Sequence, residues 1–218
     1  MVVRKDEEHV ARGGGGLAAK NAKERKENEY VTRVHAKGGG CPPGLSRAEF
    51  RTMEAALRVL NEMEAKGILR RHAIGGAMAL LFHTEPVATF DLDIFCLVPE
   101  SGPLVSLAPI YDHLRAHGHE VAAEHILIAG VPVQFIPAYN ALVTEALEQA
   151  EPKTFGQTPT RVLRLEHLLA IMLQTDRPKD RQRTALLATS STFDSARLED
   201  ILSRHQLTDA WKRIHSPR

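Results

Sequence analysis

The sequence predicts an α/β (α+β) protein, a mixed α/β half followed by an all-helical half. Three observations carry that expectation. Strand-like apolar patterns occur at residues 72–74, 90–98, 121–128 and 131–137. Helical spacing lies between them, and from Glu166 onward every pattern is helical. No internal repeat interrupts this order. A chain of 218 residues suits one domain of ordinary size plus an appendage, or two small subdomains.

Residues 1–44 stand apart. Two glycine runs, 13–16 and 38–40, flank the charged stretch 20–29, and apolar residues are too sparse to offset the entropy of ordering. A disordered or weakly helical tail is expected there. Its basic and acidic residues are interspersed, which argues against an arm that grips nucleic acid.

The folded part opens on a capping-box spacing, Ser46 with Glu49, ahead of Phe50, Met53, Leu57 and Leu60 on one helical face. Gly67 is the expected stop. A short strand at 72–74 then runs into Gly75-Gly76, a short helix at 77–83 follows, and 90–98 alternates as a half-buried strand does. Residues 104–117 have helical spacing, with Pro109 interrupting or beginning the main helix. The runs 121–128 and 131–137 are split by Ala129-Gly130, a hairpin signal. A helix is expected over 140–150, then a Pro/Gly-marked connection, a short strand at 161–165 and a helix from Glu166 to about Gln174. Pro178 suits the first turn of a helix through Ala188. Asp194 can cap the next, and a last short helix holds Trp211. The chain thus divides into a tail (1–44), an α/β core (45–160) and a C-terminal helical part (161–218).

Composition narrows the function classes. Hydrophobic residues make up 43% of the chain, enough for a core, while aromatics are only 5%, so aliphatic side chains do the packing. Lys plus Arg total 28 against 27 for Asp plus Glu, a net charge of +1 that gives no bulk attraction to nucleic acid or acidic lipid. Cys41 and Cys96 form neither a disulfide framework nor a zinc spacing, and Cys96 reads as a small buried hydrophobe. No stretch is apolar enough to span a bilayer and the N-terminus is not signal-like, so a cytoplasmic protein without a membrane partner is expected.

The chemistry concentrates in 73–97. Residues two apart on a strand share a face, so Asp91 and Asp93 present paired carboxylates, with Leu92 and Ile94 opposite. Such a pair repels unless a cation intervenes or one group is protonated, and a hard divalent ion such as Mg²⁺ fits oxygen ligands. Gly75 and Gly76, without Cβ atoms, allow a phosphate to approach the backbone ahead of a helix. Glycines after a strand, a short helix and then Asp-x-Asp on the next strand form a narrower signature than any one part.

That signature resembles the nucleotidyltransferase superfamily. Within it, the segment is most similar to the minimal bacterial and archaeal group that includes the abortive-infection nucleotidyltransferase toxins. A second similarity lies downstream, in Glu166-His167-Leu168-Leu169-Ala170 and Arg177-Pro178-Lys179-Asp180; together the two cover about 70–190. The resemblance implies a small mixed β-sheet flanked by helices, with the C-terminal helical part closing a nucleotide cleft. It implies Asp91 and Asp93 as catalytic metal ligands for Mg²⁺ with an NTP as substrate. By the same resemblance Gly75, Gly76 and Thr89 are nucleotide-binding, with Arg177 and Lys179 as a nucleotide-facing pair or, on their own chemistry, ordinary helix capping. An RNA, protein or small-molecule hydroxyl would be the acceptor, and a toxin role would bring an antitoxin partner.

The chain departs from the family pattern in two places. The strand 131–137 puts Gln134 where a third carboxylate belongs, and an amide can ligate a metal but cannot take a proton as a general base. Met172 stands where related proteins often carry a lysine. Glu145 is a candidate replacement acid, with solvated helix surface as its plainer reading. The alternative to catalysis is therefore a non-catalytic nucleotide-binding module that kept the fold. His113, His117, His119 and His125 lack the Glu spacing of a zinc helix and read as surface histidines. Arg161 and Arg164 read as strand-surface charges.

Overall fold

The computed structural model describes residues 45–83, 89, 91–99, 105–122, 124–190 and 192–215; the tail expected over 1–44, Cys41 included, lies outside them. Helix α1 (Arg47–Ala65) starts at Ser46, whose side chain accepts from the Glu49 N–H while the Glu49 carboxylate accepts from the Ser46 N–H. Both halves of the capping box are therefore in place. Gly67, at φ 73°, turns the chain just past the helix end.

Strands β1 (Arg71–Ile74), β2 (Leu92–Leu97), β3 (Glu120–Ala122), β4 (His125–Ile128), β5 (Val131–Pro137), β6 (Glu151–Phe155) and β7 (Thr158–Val162) form one sheet in the order β3-β4-β5-β2-β1-β7-β6. The sheet is mixed. β2 runs parallel to β5 and β1 parallel to β7, while β1–β2 and the hairpins are antiparallel. Between the strands lie α2 (Gly76–Leu80), α3 (Ala108–Ala116) and α4 (Ala141–Glu148). After them come α5 (Leu165–Thr175), α6 (Pro178–Ser190), α7 (Ser195–Arg204) and α8 (Thr208–His215). The mixed α/β half followed by helices is thus the observed architecture, with seven strands and eight helices among the described residues.

Turn chemistry explains two of the hairpins. Ala129 and Gly130 both have positive φ, 52° and 83°, the pattern of a type I′ turn, and they join β4 to β5. Gly156 alone is positive in the Gly156-Gln157 turn, the type II′ pattern, and it joins β6 to β7.

Three expectations need correction. Residues 121–128 are two short antiparallel strands rather than one run. The connection after α4 contains a full strand, β6, whose exposed Pro152 and absence of apolar alternation suit a sheet edge paired on one side only. The strand expected at 161–165 is Thr158–Val162, because the inward positions of β7 include the buried threonines Thr158 and Thr160, which conceal its period.

Side-chain bonds fix the layers. His72 and Arg71 are neighbours on β1 and therefore face opposite sides of the sheet. His72 meets Glu64 of α1, with Nδ1 2.6 Å from the carboxylate, while Arg71 donates to the carbonyls of Leu147 and Glu148 in α4. So α1 covers one face and α4 the other. α3 joins α1, setting Tyr111 edge-on to Phe135. Cys96 is fully buried, which pushes its thiol up to about 12. Phe193 lies edge-on to Trp211 between the last helices.

Two half-buried carboxylates tie the layers together. Burial alone would raise Glu64, but bonds from His72 and Arg161 outweigh it and hold the group at about 2, against an ordinary 4.5. Glu145 of α4 is held at about 2 chiefly by Arg204 of α7, helped by His205 and by His167 of α5. A depressed folded pKa means that the stabilisation is present above 4.5 and disappears as pH falls through the folded value. Discounted for solvent, each contributes on the order of 1–2 kcal/mol. The melting temperature is therefore expected to fall steeply between pH 4.5 and 2, and less steeply in Glu145→Gln. A flat profile for the native chain in that window would contradict this assignment.

Candidate functional site

Asp91 precedes β2 and Asp93 lies within it. Thr89 Oγ1 donates to Asp91 Oδ1, so the threonine orients the exposed carboxylate. Asp93 is half-buried at the junction of β2 with the glycine turn. The Gly75 N–H donates to the Asp93 carbonyl at 2.8 Å. Gly76, at φ 55°, lies directly against the Asp93 side chain. A Cβ there would overlap Oδ2 and lie 2.6 Å from Cγ and 2.9 Å from Cβ. A Cβ on Gly75 would overlap the Phe95 ring. The space that both glycines leave is occupied by the protein's own side chains, and that is the physical need for them visible in the fold.

The parallel register of β2 and β5 pairs Asp93 with Gln134, so carboxylate and amide are neighbours on one face. This is the face that carries Arg71 and hence α4. Burial first, and then the nearby charge of Asp91, raise the Asp93 pKa; Lys179 and Arg183 of α6 and His125 of β4 act against that rise. Three cationic or ionisable side chains from two elements therefore reach the carboxylate electrostatically. Among the described residues no group of three or more His, Cys, Asp or Glu side chains is arranged to hold a metal. The donor set available is two carboxylates and one amide.

The basic residues of the α5–α6 joint divide in their roles. Arg177 Nε donates to Asp180 at 2.8 Å, and the buried Asp180 also accepts from Thr175 Oγ1 at 2.9 Å. Arg177 therefore belongs to the joint itself. Lys179 is exposed and its charge bears on Asp93. Arg183, one helical turn further along the same face, joins it. Arg183 is absent from the sequence-level candidates, although its four-residue spacing from Lys179 was the signal available.

Glu145 does not serve the Asp pair. Its two oxygens are bonded by Arg204, His205 (2.8 Å) and His167 (3.1 Å), and its low pKa removes it as a base near neutrality. The burial of His167 lowers its own pKa, so the neutral ring donates from Nε2 to Glu145. Arg161 and Arg164, read as surface charges, are half-buried and paired with Glu64 and Glu151. Of the other histidines, His113 of α3 and His117 at its C-terminal cap place their rings together, with centroids 4.1 Å apart.

No helix among the described residues is long and apolar enough to cross a membrane. A scan against models of known protein families finds no match, and a search of curated protein sequences finds none either.

Proposed function

We propose that this protein is a Mg²⁺-dependent nucleotidyltransferase, similar to the minimal abortive-infection group, that moves a nucleoside monophosphate from an NTP to a hydroxyl of an RNA, a protein or a small molecule. The observation that carries the reading is the junction of Gly76 with Asp93: a carboxylate pressed onto a glycine turn, with the Asp91 charge acting on it and Gln134 beside it in register. A cytoplasmic setting and an antitoxin partner belong to the same proposal.

The residues suit a hard cation. Asp91, Asp93 and the Gln134 carbonyl offer oxygen donors only, and the raised pKa of Asp93 marks a charge that the fold leaves under-compensated. A Mg²⁺ ion held by these residues would supply charge neutralisation to the nucleotide phosphates. Asp91 and Asp93 would hold it, with Thr89 fixing the angle of Asp91. Lys179 and Arg183 contribute positive charge that acts at Asp93, where a polyphosphate would require it. Gly75 and Gly76 keep the backbone low beside the carboxylates.

Gln134 favours a second reading, a nucleotide-binding module without turnover. The two separate in one experiment. The protein is incubated with each α-labelled NTP, Mg²⁺, and total RNA or cell lysate. Label transfer that disappears in the Asp91→Ala/Asp93→Ala variant is expected. No transfer in any combination, with NTP binding retained, selects the binding module; transfer unaffected by the double substitution rejects both.

A further inference from the structure

The row on the sheet face continues past Gln134. The β4–β5 register pairs Ile128 with Val131, Leu127 with Pro132 and Ile126 with Val133. Carried on by one residue, it sets His125 opposite Gln134. Opposed residues share a face. Ile126, Ile128, Val131 and Val133 are buried on one side, and His125 and Gln134 are half-buried on the other. Asp93, Gln134 and His125 therefore form a transverse row across β2, β5 and β4. Adjacent strands are about 5 Å apart, so the His125 backbone lies about 10 Å from that of Asp93, two strands away on the same face. The His125 ring also contributes to the field at the Asp93 carboxylate, an interaction independent of the register argument.

The neighbouring position is occupied by an amide, which can accept a hydrogen bond but cannot retain a proton. An imidazole one strand further along can do both. We propose that His125 takes the proton of the acceptor hydroxyl, standing in for the carboxylate that Gln134 replaces. This rests on the nucleotidyl-transfer reading. In the step, the acceptor oxygen forms a bond to the α-phosphorus, and the bond from that phosphorus to the oxygen bridging to the β-phosphate breaks. Pyrophosphate leaves with the electron pair, and the hydroxyl proton passes to a ring nitrogen of His125. Gln134 holds the acceptor oxygen or a metal-shell water through its carbonyl, on the side facing Asp93.

The test uses the full chain and its His125→Asn variant, with α-labelled NTP and total RNA or lysate as acceptor source. Three quantities are read: single-turnover transfer, NTP affinity by calorimetry in Mg²⁺, and melting temperature. His125→Asn is expected to lose about a hundredfold or more in transfer, the usual contribution of a general base, with affinity and melting unchanged. Adding Gln134→Asp to His125→Asn is expected to recover transfer, because a carboxylate then occupies the neighbouring position. Transfer by His125→Asn within twofold of native overturns the inference and leaves the nucleotidyl-transfer reading standing. A parallel fall in affinity or melting temperature also overturns it, since the histidine would then bind or brace. No transfer by the native chain overturns the reading and the inference together.

Discussion

Asp93→Asn is expected to melt above the native protein in EDTA, while losing at least about a hundredfold in nucleotidyl transfer. The two effects share one cause. Burial and the Asp91 charge raise the Asp93 pKa, so the ionised form is disfavoured in the folded state. A raised folded pKa means stability that is present at low pH and lost as pH rises through the folded value. At neutral pH the native chain therefore carries a destabilising charge, which an amide of the same shape removes. On the proposed reading, the same substitution deletes one of the two anionic oxygen donors for Mg²⁺. Mg²⁺ is expected to raise the melting temperature of the native chain and not that of the variant, by mass action on the folded state. Scanning fluorimetry in EDTA and in Mg²⁺ reads all three outcomes. A variant that melts lower in EDTA contradicts the electrostatic account of Asp93, and one that transfers label normally contradicts its chemical role.

Gly76→Ala is expected to destabilise the fold by about 2–3 kcal/mol and to abolish nucleotide binding together with transfer. Part of the cost is conformational. At φ 55° a side chain sits in the left-handed region, which costs about 1 kcal/mol for a residue with a Cβ. The larger part is steric. The new methyl would meet not only Oδ2 of Asp93 but also its Cγ at 2.6 Å and Cβ at 2.9 Å, so rotating the carboxylate away does not relieve the overlap. Either β2 or the glycine turn must shift, and both carry the site. A double-mutant cycle isolates this contact: in an Asp93→Gly background, which removes the colliding atoms, Gly76→Ala should cost only the conformational part. Equal costs in both backgrounds would show that the collision is not what Gly76 avoids.

The parts of this fold legible in the sequence are those where one local rule acts alone. Ser46 and Glu49 cap α1, Asp194 caps α7, and Ala129-Gly130 turns β4 into β5, because each depends on a few neighbouring residues. β6 is hidden because an edge strand needs no apolar period, and β7 because threonines occupy its inward positions. The site divides along the same line. Asp91, Asp93 and the two glycines can be read from spacing, and Gln134 from strand alternation. Glu145 and Arg177 cannot be assigned that way. Their partners, Arg204 and His205 for one and the buried Asp180 for the other, become visible only once the helices are packed. His125 is the intermediate case. Counting back through the two-residue turn from Gln134 arrives at it, so its place in the row was available from the hairpin signal alone.

The most direct measurement is a calorimetric titration of each NTP into the protein, with Mg²⁺ and again with EDTA, for the native chain and for Asp91→Ala/Asp93→Ala. The account predicts saturable binding of at least one NTP that needs both Mg²⁺ and the two carboxylates. Binding that persists with equal affinity in EDTA and in the double variant, or no binding by the native chain under any of these conditions, would contradict it.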